Sequence, residues 1–160
     1  MKKVLFILLV ALGIVAYMSS MSYEQQTIVP ELRQLLKTEP FKDTLSYIEI
    51  PYWGDTISVE TRGYVYFVEF LIRKATHFIG YGIVGIILWI LYLKLKWRFP
   101  SLLAIFTIVI IASADELRQL FMPGRTGVFD DVKLDVTGAI VFIGIVNLIR
   151  IIKARHSKTN

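Results

Sequence analysis

The sequence contains no cysteine, and this absence excludes several kinds of protein. Without thiols the chain has no disulfide, no thiolate zinc site and no lipid-modified cysteine. Charged residues are also few, since they make up 19% of the chain against about a quarter of a typical soluble domain. Hydrophobic residues reach 55%, and they are gathered in blocks rather than spread at a helical period. The composition therefore indicates an integral membrane protein, and its length suits a single domain covering 1–160.

The basic charge of the chain has a topological explanation. The net charge is +5 and the pI is about 9.5, values that can indicate a nucleic-acid partner. Here the basic residues lie beside apolar runs, where the rules of membrane insertion account for them. We therefore expect membrane lipids as partners, no nucleic acid and no cofactor. The sequence does not set an oligomeric state.

Four apolar runs are long enough, or nearly so, to cross a bilayer as helices. The predicted spans are 4–20, 75–93, 99–114 and 134–152. The first run follows two lysines and can also be interpreted as a secretory signal, but Ala16-Tyr17-Met18 is a poor small-residue cleavage site. We therefore favour an uncleaved first helix. The second span carries three glycines that predict close helix approach: Gly80, Gly82 and Gly85.

A polar insertion, 21–66, separates the first two spans. A short helix is predicted from Pro30-Glu31, with three leucines on one face: Leu32, Leu35 and Leu36. Residues 46–52 and 56–61 alternate around Trp53-Gly54-Asp55, which predicts a β-hairpin. Its apolar side would be Ile48, Ile50, Ile57 and Val59. Because an isolated hairpin is marginal in water, we expect it to rest on the helix ends or the membrane surface as a structural cap.

The distribution of charge predicts the topology. Nine of the 18 Lys and Arg residues, and none of the 13 acids, lie in the N-terminal segment, the turn at 94–98 and the tail at 150–160. This is the positive-inside pattern, so both termini should be cytoplasmic. The predicted fold is an all-α membrane protein with four transmembrane helices and a small extracytoplasmic insertion, containing a helix and a β-hairpin, between helices 1 and 2.

Two charged clusters fall on the same predicted outer side. Ionisable residues beside membrane spans are costly to place, so they are candidates for function. The first cluster is Glu69, Arg73, Lys74 and His77. The second lies in the stretch 114–135 and comprises Asp115, Glu116, Arg118, Gln119, Arg125, Asp130, Asp131 and Asp135. A solvated loop is the structural alternative for the second cluster. Glu69 and Arg73 are also in the favourable order for a helical ion pair.

The residue types suggest anion binding combined with acid–base chemistry. Arginine and lysine beside a Gly-flanked loop can hold a phosphate or a carboxylate. The candidate ligand-binding residues are Arg73, Lys74, Gln119, Arg125, Asp131 and Asp135. His77 can donate or accept a proton, while Asp115 or Glu116 can orient it or act as a second acid–base group. These three are the candidate catalytic residues.

Other interpretations of the same residues stay open. The carboxylates can simply neutralise the arginines and lock the helix ends together. A divalent cation on Asp130, Asp131 and Asp135 is disfavoured by the nearby cations, so no metal is expected. No nucleophilic serine elbow is visible, and Ser113 alone is weak evidence for a nucleophile. Binding and catalysis both fit this arrangement.

Two segments resemble the VanZ-like family of small bacterial membrane proteins. They are IRKATHFIGYGIVG at 72–85 and ADELRQLFMPGRTGVFDDVKLDVTGA at 114–139, with Glu69-Phe70 just before the first. The family pattern runs R-K-x-x-H-F-x-x-Y, then D-E-x-x-Q-x-F-x-x-G-R, then D-x-x-x-D near a Gly-Ala pair. It falls on Arg73, Lys74, His77, Phe78, Tyr81, Asp115, Glu116, Gln119, Phe121, Gly124, Arg125, Asp131, Asp135, Gly138 and Ala139. Two positions depart mildly: Arg118 fills a slot that is often aromatic or His, and Asp135 sits where Asn is also common.

The resemblance implies a four-helix fold in the bacterial cytoplasmic membrane and a link with the cell envelope. The family's named member is associated with resistance to the glycopeptide teicoplanin, which implies a lipid-linked wall precursor or a glycopeptide as a partner. Three functions follow as alternatives. The protein alters the handling of wall precursors without catalysis, or it is an enzyme acting on a lipid phosphate or acyl donor with His77 as acid or base, or it docks another envelope protein.

Overall fold

The computed structural model describes residues 1–125 and 127–156. The helices are α1 (Lys2–Ser19), α2 (Tyr23–Gln26), α3 (Val29–Leu35), α4 (Lys42–Ser46), α5 (Val59–Arg62), α6 (Tyr64–Lys94), α7 (Pro100–Gln119) and α8 (Phe129–His156). The strands are β1 (Ile50–Tyr52) and β2 (Asp55–Ile57), which pair antiparallel. The chain is thus all-α apart from one small hairpin, as its sequence predicts.

Four helices are long and apolar enough to cross a membrane: α1, α6, α7 and α8. Many of their large apolar side chains are exposed on the outside of the bundle, among them Phe6, Leu9, Leu102, Phe106, Ile140 and Leu148. An exposed apolar surface of this kind marks contact with lipid. The molecule is therefore a multi-pass membrane protein. The helices run beyond the predicted spans because hydropathy detects only their apolar part, and polar residues continue the helices at their ends.

Helix α6 lies at the centre of the bundle and packs most extensively against α8 and then α7. Gly138 of α8 marks the closest approach, because a Cβ added there would lie 2.2 Å from the carbonyl oxygen of Phe78. A Cβ on Gly85 would lie 3.0 Å from the Cβ of Ala139. The prediction for Gly80 is wrong, since a Cβ there would meet nothing within 4 Å. Close packing of α6 against α8 therefore begins at Phe78, directly after the charged cluster.

The insertion rests on the start of α6 through its own small core. Ile57, Val59, Tyr64 and Phe67 are buried together there. The Tyr64 hydroxyl also donates to the carbonyl of Pro40 at 2.7 Å. The cap position that the sequence predicts for the hairpin is therefore the observed one, on a helix end.

The hairpin is shorter than its sequence pattern predicts. Tyr52 pairs with Asp55 across a two-residue turn, and both turn residues, Trp53 and Gly54, have positive φ as a type I′ turn requires. The second strand ends early because Ser58 caps α5 by accepting the Thr61 N–H at 3.2 Å. The first begins late because residues 42–46 form α4 instead.

The apolar faces predicted for the insertion are only partly correct. Leu32 is buried, but Leu35 lies 78% exposed at the end of α3, and Ile48 is exposed before β1. The helix is seven residues long, so it presents one narrow buried stripe rather than a full face. The spacing of the leucines therefore did not predict which of them are buried.

The insertion and the loop after α7 lie at the same end of the bundle. The Tyr23 N–H donates to the carbonyl of Pro123 at 3.4 Å, and the Trp53 N–H donates to Asp130 at 3.1 Å. The N-terminus, the turn between α6 and α7 and the end of α8 lie at the opposite end. Both charged clusters are thereby placed at the first end.

We expect the end that carries the insertion to face outward, because the opposite end holds basic residues and no acids. Both Lys37 at the first end and Lys94 at the second are exposed, and the chain has no cysteine of its own. A membrane-impermeant maleimide should therefore label Lys37→Cys in intact cells, and Lys94→Cys only in opened membranes. Labelling of Lys94→Cys in intact cells would reverse the orientation.

Candidate functional site

Glu69 ties the insertion to α6 rather than pairing with Arg73. Its side chain is buried and accepts hydrogen bonds from the Tyr23 hydroxyl at 3.0 Å, the Thr27 hydroxyl at 2.7 Å and the Ile28 N–H at 3.0 Å. The predicted Glu69–Arg73 ion pair is not formed. Three neutral donors from the insertion satisfy the carboxylate instead. Burial, then the hydrogen bond to Glu69, raise the pKa of Tyr23, which stays a donor.

Lys74 and Asp131 form a second tie, between α6 and α8. The Lys74 ammonium is ion-paired with the buried Asp131 carboxylate and also donates to the Tyr52 hydroxyl at 2.6 Å. Tyr52 in turn donates to Asp131, and its pKa is raised by burial and by this bond. The hairpin is thus fixed to the membrane helices through one tyrosine. Asp130 and Asp131 lie in the first turn of α8 rather than at its N-cap, where their charge still favours the helix dipole.

A hydrogen-bonded chain along the end of α7 leads to Arg125. Asp115 is buried and contacts Arg118 at 3.1 Å, and it accepts a hydrogen bond from the Gln119 side-chain amide at 3.1 Å. Arg125 donates to the carbonyl oxygen of that amide at 2.7 Å. Arg118 is further fixed by the carbonyl of Ala16 at 2.7 Å. Asp115 therefore holds the Gln119 side chain in place, and Gln119 in turn orients the Arg125 guanidinium.

Arg125 itself has no carboxylate partner among the residues that the structure describes. Its remaining contacts are the carbonyl oxygens of Ser19 and Met21, at 3.5 and 3.4 Å. Burial, and then the nearby charge of Arg73, lower the pKa of Arg125. Two guanidinium groups at one site raise each other's energy unless an anion lies between them.

Arg73 is the least satisfied cation of the site. In the described part of the chain it forms no ion pair, and its Nη1 is buried without a hydrogen-bond partner. Its contact is with the ring of Tyr23, whose centroid lies 5.1 Å from the guanidinium carbon. A buried donor without a partner costs on the order of 1–3 kcal/mol. The Arg73 guanidinium is therefore a candidate contact for an anion.

Glu116 and the His77–Asp135 pair complete the charged set. Glu116 is buried in the last turns of α7 and accepts the Val128 N–H at 2.8 Å, which fixes the loop that leads to α8. His77 Nδ1 lies 3.4 Å from Asp135 Oδ1, and Asp135 is fully buried at 0% exposure. The His77 ring also stacks on that of Tyr81, with centroids 6.2 Å apart. The carboxylate nearest His77 is therefore Asp135, in place of the expected Asp115 or Glu116.

A polar cavity of about 340 Å³ opens beside the two arginines. The insertion and the ends of the long helices both contribute to its wall. Its charged residues are Asp55, Arg62, Glu69, Arg73, Lys74, Arg125 and Asp131. Two of the three acids are already bound, Glu69 by the insertion and Asp131 by Lys74. The cavity therefore presents an excess of positive charge.

A second cavity, a groove of about 260 Å³, lies between α1 and α6 and shares Arg73 with the first. Its walls are mainly apolar, but it is also lined by His77 and Asp115. Hence the structure brings the two charged clusters together around Arg73. Of the candidate residues, Lys74, Gln119, Arg125 and Asp131 line the polar cavity. Asp135 and Glu116 are not part of the cavity wall. Asp135 contacts His77, and Glu116 binds the loop that leads to α8.

The aspartates considered for a cation have different partners. Asp130 contacts Lys133 at 2.8 Å, Asp131 contacts Lys74, and Asp135 contacts His77. Within 1–125 and 127–156, no three His, Asp or Glu side chains form a group that can hold a metal ion. Asp131 and Asp135 instead bind α8 to α6, and Asp130 binds α8 to the hairpin through the Trp53 N–H.

Three tyrosines of the site were not among the candidate ligand-binding or catalytic residues: Tyr23, Tyr52 and Tyr81. The first two belong to the insertion, and Tyr52 lies 79 residues from Asp131 in the chain. No local spacing reveals such a contact. Tyr81 carried a signal, because it belongs to the family pattern one turn after His77.

The family comparison covers nearly the whole chain. A family model described as VanZ/LLP1 matches residues 4–150. That range includes most or all of each of the four long helices and every residue of both cavities named above. No curated protein and no solved structure matches the chain.

Proposed function

This chain belongs to the VanZ/LLP1 family, and we propose that it is a cell-envelope protein whose polar cavity binds an anionic headgroup at the outer face of the bacterial cytoplasmic membrane. The headgroup is that of an envelope lipid or a lipid-linked wall precursor. By holding such a precursor, the protein would alter its exposure to glycopeptides such as teicoplanin and so contribute to resistance.

One observation carries this proposal: Arg73 and Arg125, two of the three arginines that line the polar cavity, are paired with no carboxylate in the described chain. Arg73 has a buried Nη1 without a partner, and Arg125 is held in place by neutral oxygens. Guanidinium groups bind phosphate and carboxylate through two parallel hydrogen bonds. An anion between them would satisfy the buried donor and relieve the repulsion that lowers the pKa of Arg125.

Arg125→Ala is expected to lose binding of an anionic lipid while the protein still folds and inserts. The reason is that Arg125 contacts no carboxylate, so its removal leaves no buried negative charge unpaired. Binding of dioctanoyl phosphatidylglycerol to the purified protein in maltoside micelles measures the effect. Arg98→Ala is the matched control, since Arg98 is an exposed arginine at the opposite end of the bundle and does not line the cavity. Equal binding by both variants would contradict an anion-binding site at Arg125.

A second candidate function, acid–base catalysis on the bound headgroup, is favoured by the His77–Asp135 contact. A buried carboxylate behind a histidine fixes the ring and stabilises its protonated form. His77 also lines the groove that shares Arg73 with the polar cavity. Under this alternative His77→Ala would bind the same lipid with unchanged affinity but lose the cellular phenotype. If the protein only binds the lipid, a His77→Ala variant that binds with normal affinity should also keep the cellular phenotype.

A further inference from the structure

The groove between α1 and α6 differs in character from the polar cavity beside it. Its apolar wall consists of Ile14, Val15, Met18, Ile28 and Ile72, with Gly80 among the remaining residues. Ile14, Met18 and Ile72 are exposed, so the groove opens on the side of the bundle. In a membrane protein that side faces the hydrocarbon of the bilayer. The groove is therefore accessible to a chain that is already in the lipid phase.

Polar atoms without partners gather along the same groove. They are Ser19 Oγ, Arg73 Nη1 and Tyr81 Oη, each buried and each without a hydrogen bond among the described residues. Buried polar atoms in native proteins are nearly always bonded, so each exception needs a reason. All three groups can donate, which suits a ligand rich in acceptor oxygens.

We infer that the polar cavity and the groove are two halves of one site for a lipid in which a phosphodiester or diphosphate joins a hydrocarbon chain to a polar headgroup. This inference rests on the proposed function. Arg73 lines both cavities, so the phosphate lies at Arg73 where they meet. The headgroup occupies the polar cavity, and the first part of the chain occupies the groove. The polar cavity, Arg73 and the groove thus follow one another in the same order as the headgroup, the phosphate and the hydrocarbon chain of the lipid.

The apolar wall distinguishes this ligand from a free anion. Inorganic phosphate or a soluble sugar phosphate gains nothing from isoleucine and methionine side chains. A hydrocarbon chain gains packing contacts with these side chains, although it gains no transfer from water because it comes from the lipid phase. The lipid should therefore bind severalfold more tightly than its headgroup alone, by an amount that depends on contact with the groove wall.

Gly80 offers a way to fill the groove without disturbing the protein. It lines the groove, and a Cβ added there meets nothing within 4 Å. Gly144 of α8 is the matched control, because a Cβ there also meets nothing within 4 Å and the residue does not line the groove. Gly80→Leu and Gly144→Leu thus make the same change in two open positions.

The test compares dioctanoyl phosphatidylglycerol with its deacylated headgroup, glycerophosphoglycerol, in maltoside micelles. We expect the wild type and Gly144→Leu to bind the lipid severalfold more tightly than the headgroup, and by the same factor. Gly80→Leu should lose that preference while its affinity for glycerophosphoglycerol stays unchanged. If Gly80→Leu keeps the full preference, or if the wild type shows none, the chain does not occupy the groove and the inference is overturned. Binding of glycerophosphoglycerol would still support the proposed function, whereas a wild type that binds neither probe would contradict both.

Discussion

Replacing Arg73 with alanine is expected to weaken binding of dioctanoyl phosphatidylglycerol by about 30-fold or more, since losing one partner of a buried charge contact costs on the order of 2–5 kcal/mol. The effect should be large because Arg73 belongs to both cavities. Arg125 lines only the polar cavity, so it cannot replace Arg73 where the two cavities meet. Isothermal titration of the purified variant in maltoside micelles measures the loss.

Stability should change little in the same variant. Arg73 forms no ion pair in the described chain, and its ring contact with Tyr23 contributes at most about 1 kcal/mol. The neighbouring Lys74→Ala is the informative contrast, because it leaves the buried Asp131 carboxylate unpaired, at a cost on the order of 3–5 kcal/mol. Thermal unfolding should therefore separate the two. If Arg73→Ala destabilises the protein as strongly as Lys74→Ala, Arg73 has a structural role and the anion site loses its main support.

Gly138→Ala is expected to be the most destabilising single-methyl change in the bundle. The new Cβ would lie 2.2 Å from the carbonyl oxygen of Phe78, so α8 must move away from α6. Overpacking of this kind costs about 1–3 kcal/mol, which outweighs the gain in helix propensity of up to about 1 kcal/mol. The clash is with backbone, so no side-chain rotation can relieve it.

Gly144→Ala provides the control on the same helix. Its Cβ meets nothing within 4 Å, so only the propensity gain applies and the variant should be as stable as the wild type or slightly more so. Unfolding in detergent, followed by circular dichroism, gives the difference between the two variants. Equal stabilities would mean that α6 and α8 do not approach each other at Gly138.

The sequence predicts the helices well because hydropathy acts over whole segments. Each of the four spans was found, and the hairpin followed from alternation around Trp53-Gly54. The predicted spans stop where the apolar run ends, whereas α7 continues through Asp115 and Gln119, as polar residues that follow an apolar run can continue a helix. Those polar ends of helices carry residues of the site, so a hydropathy span alone does not include it.

The partners within the site were harder to predict than its members. Spacing suggested that Glu69 pairs with Arg73, but three donors from a distant part of the chain bind Glu69 instead. Spacing likewise gave no reason to place Asp135 next to His77, because the contact is made between α6 and α8. Local rules describe one helix at a time, whereas these contacts depend on how helices cross.

The use of Glu69 as an anchor for the insertion has a consequence for how quickly and selectively an anion can enter. A carboxylate one turn from Arg73 would ordinarily occupy the guanidinium, and an incoming phosphate would have to displace it. Here both carboxylate oxygens are engaged by Tyr23, Thr27 and Ile28, so no internal competitor needs to leave. The folding of the insertion therefore determines whether Arg73 is free to bind. A chain whose insertion detaches would let Glu69 swing back and inhibit its own site.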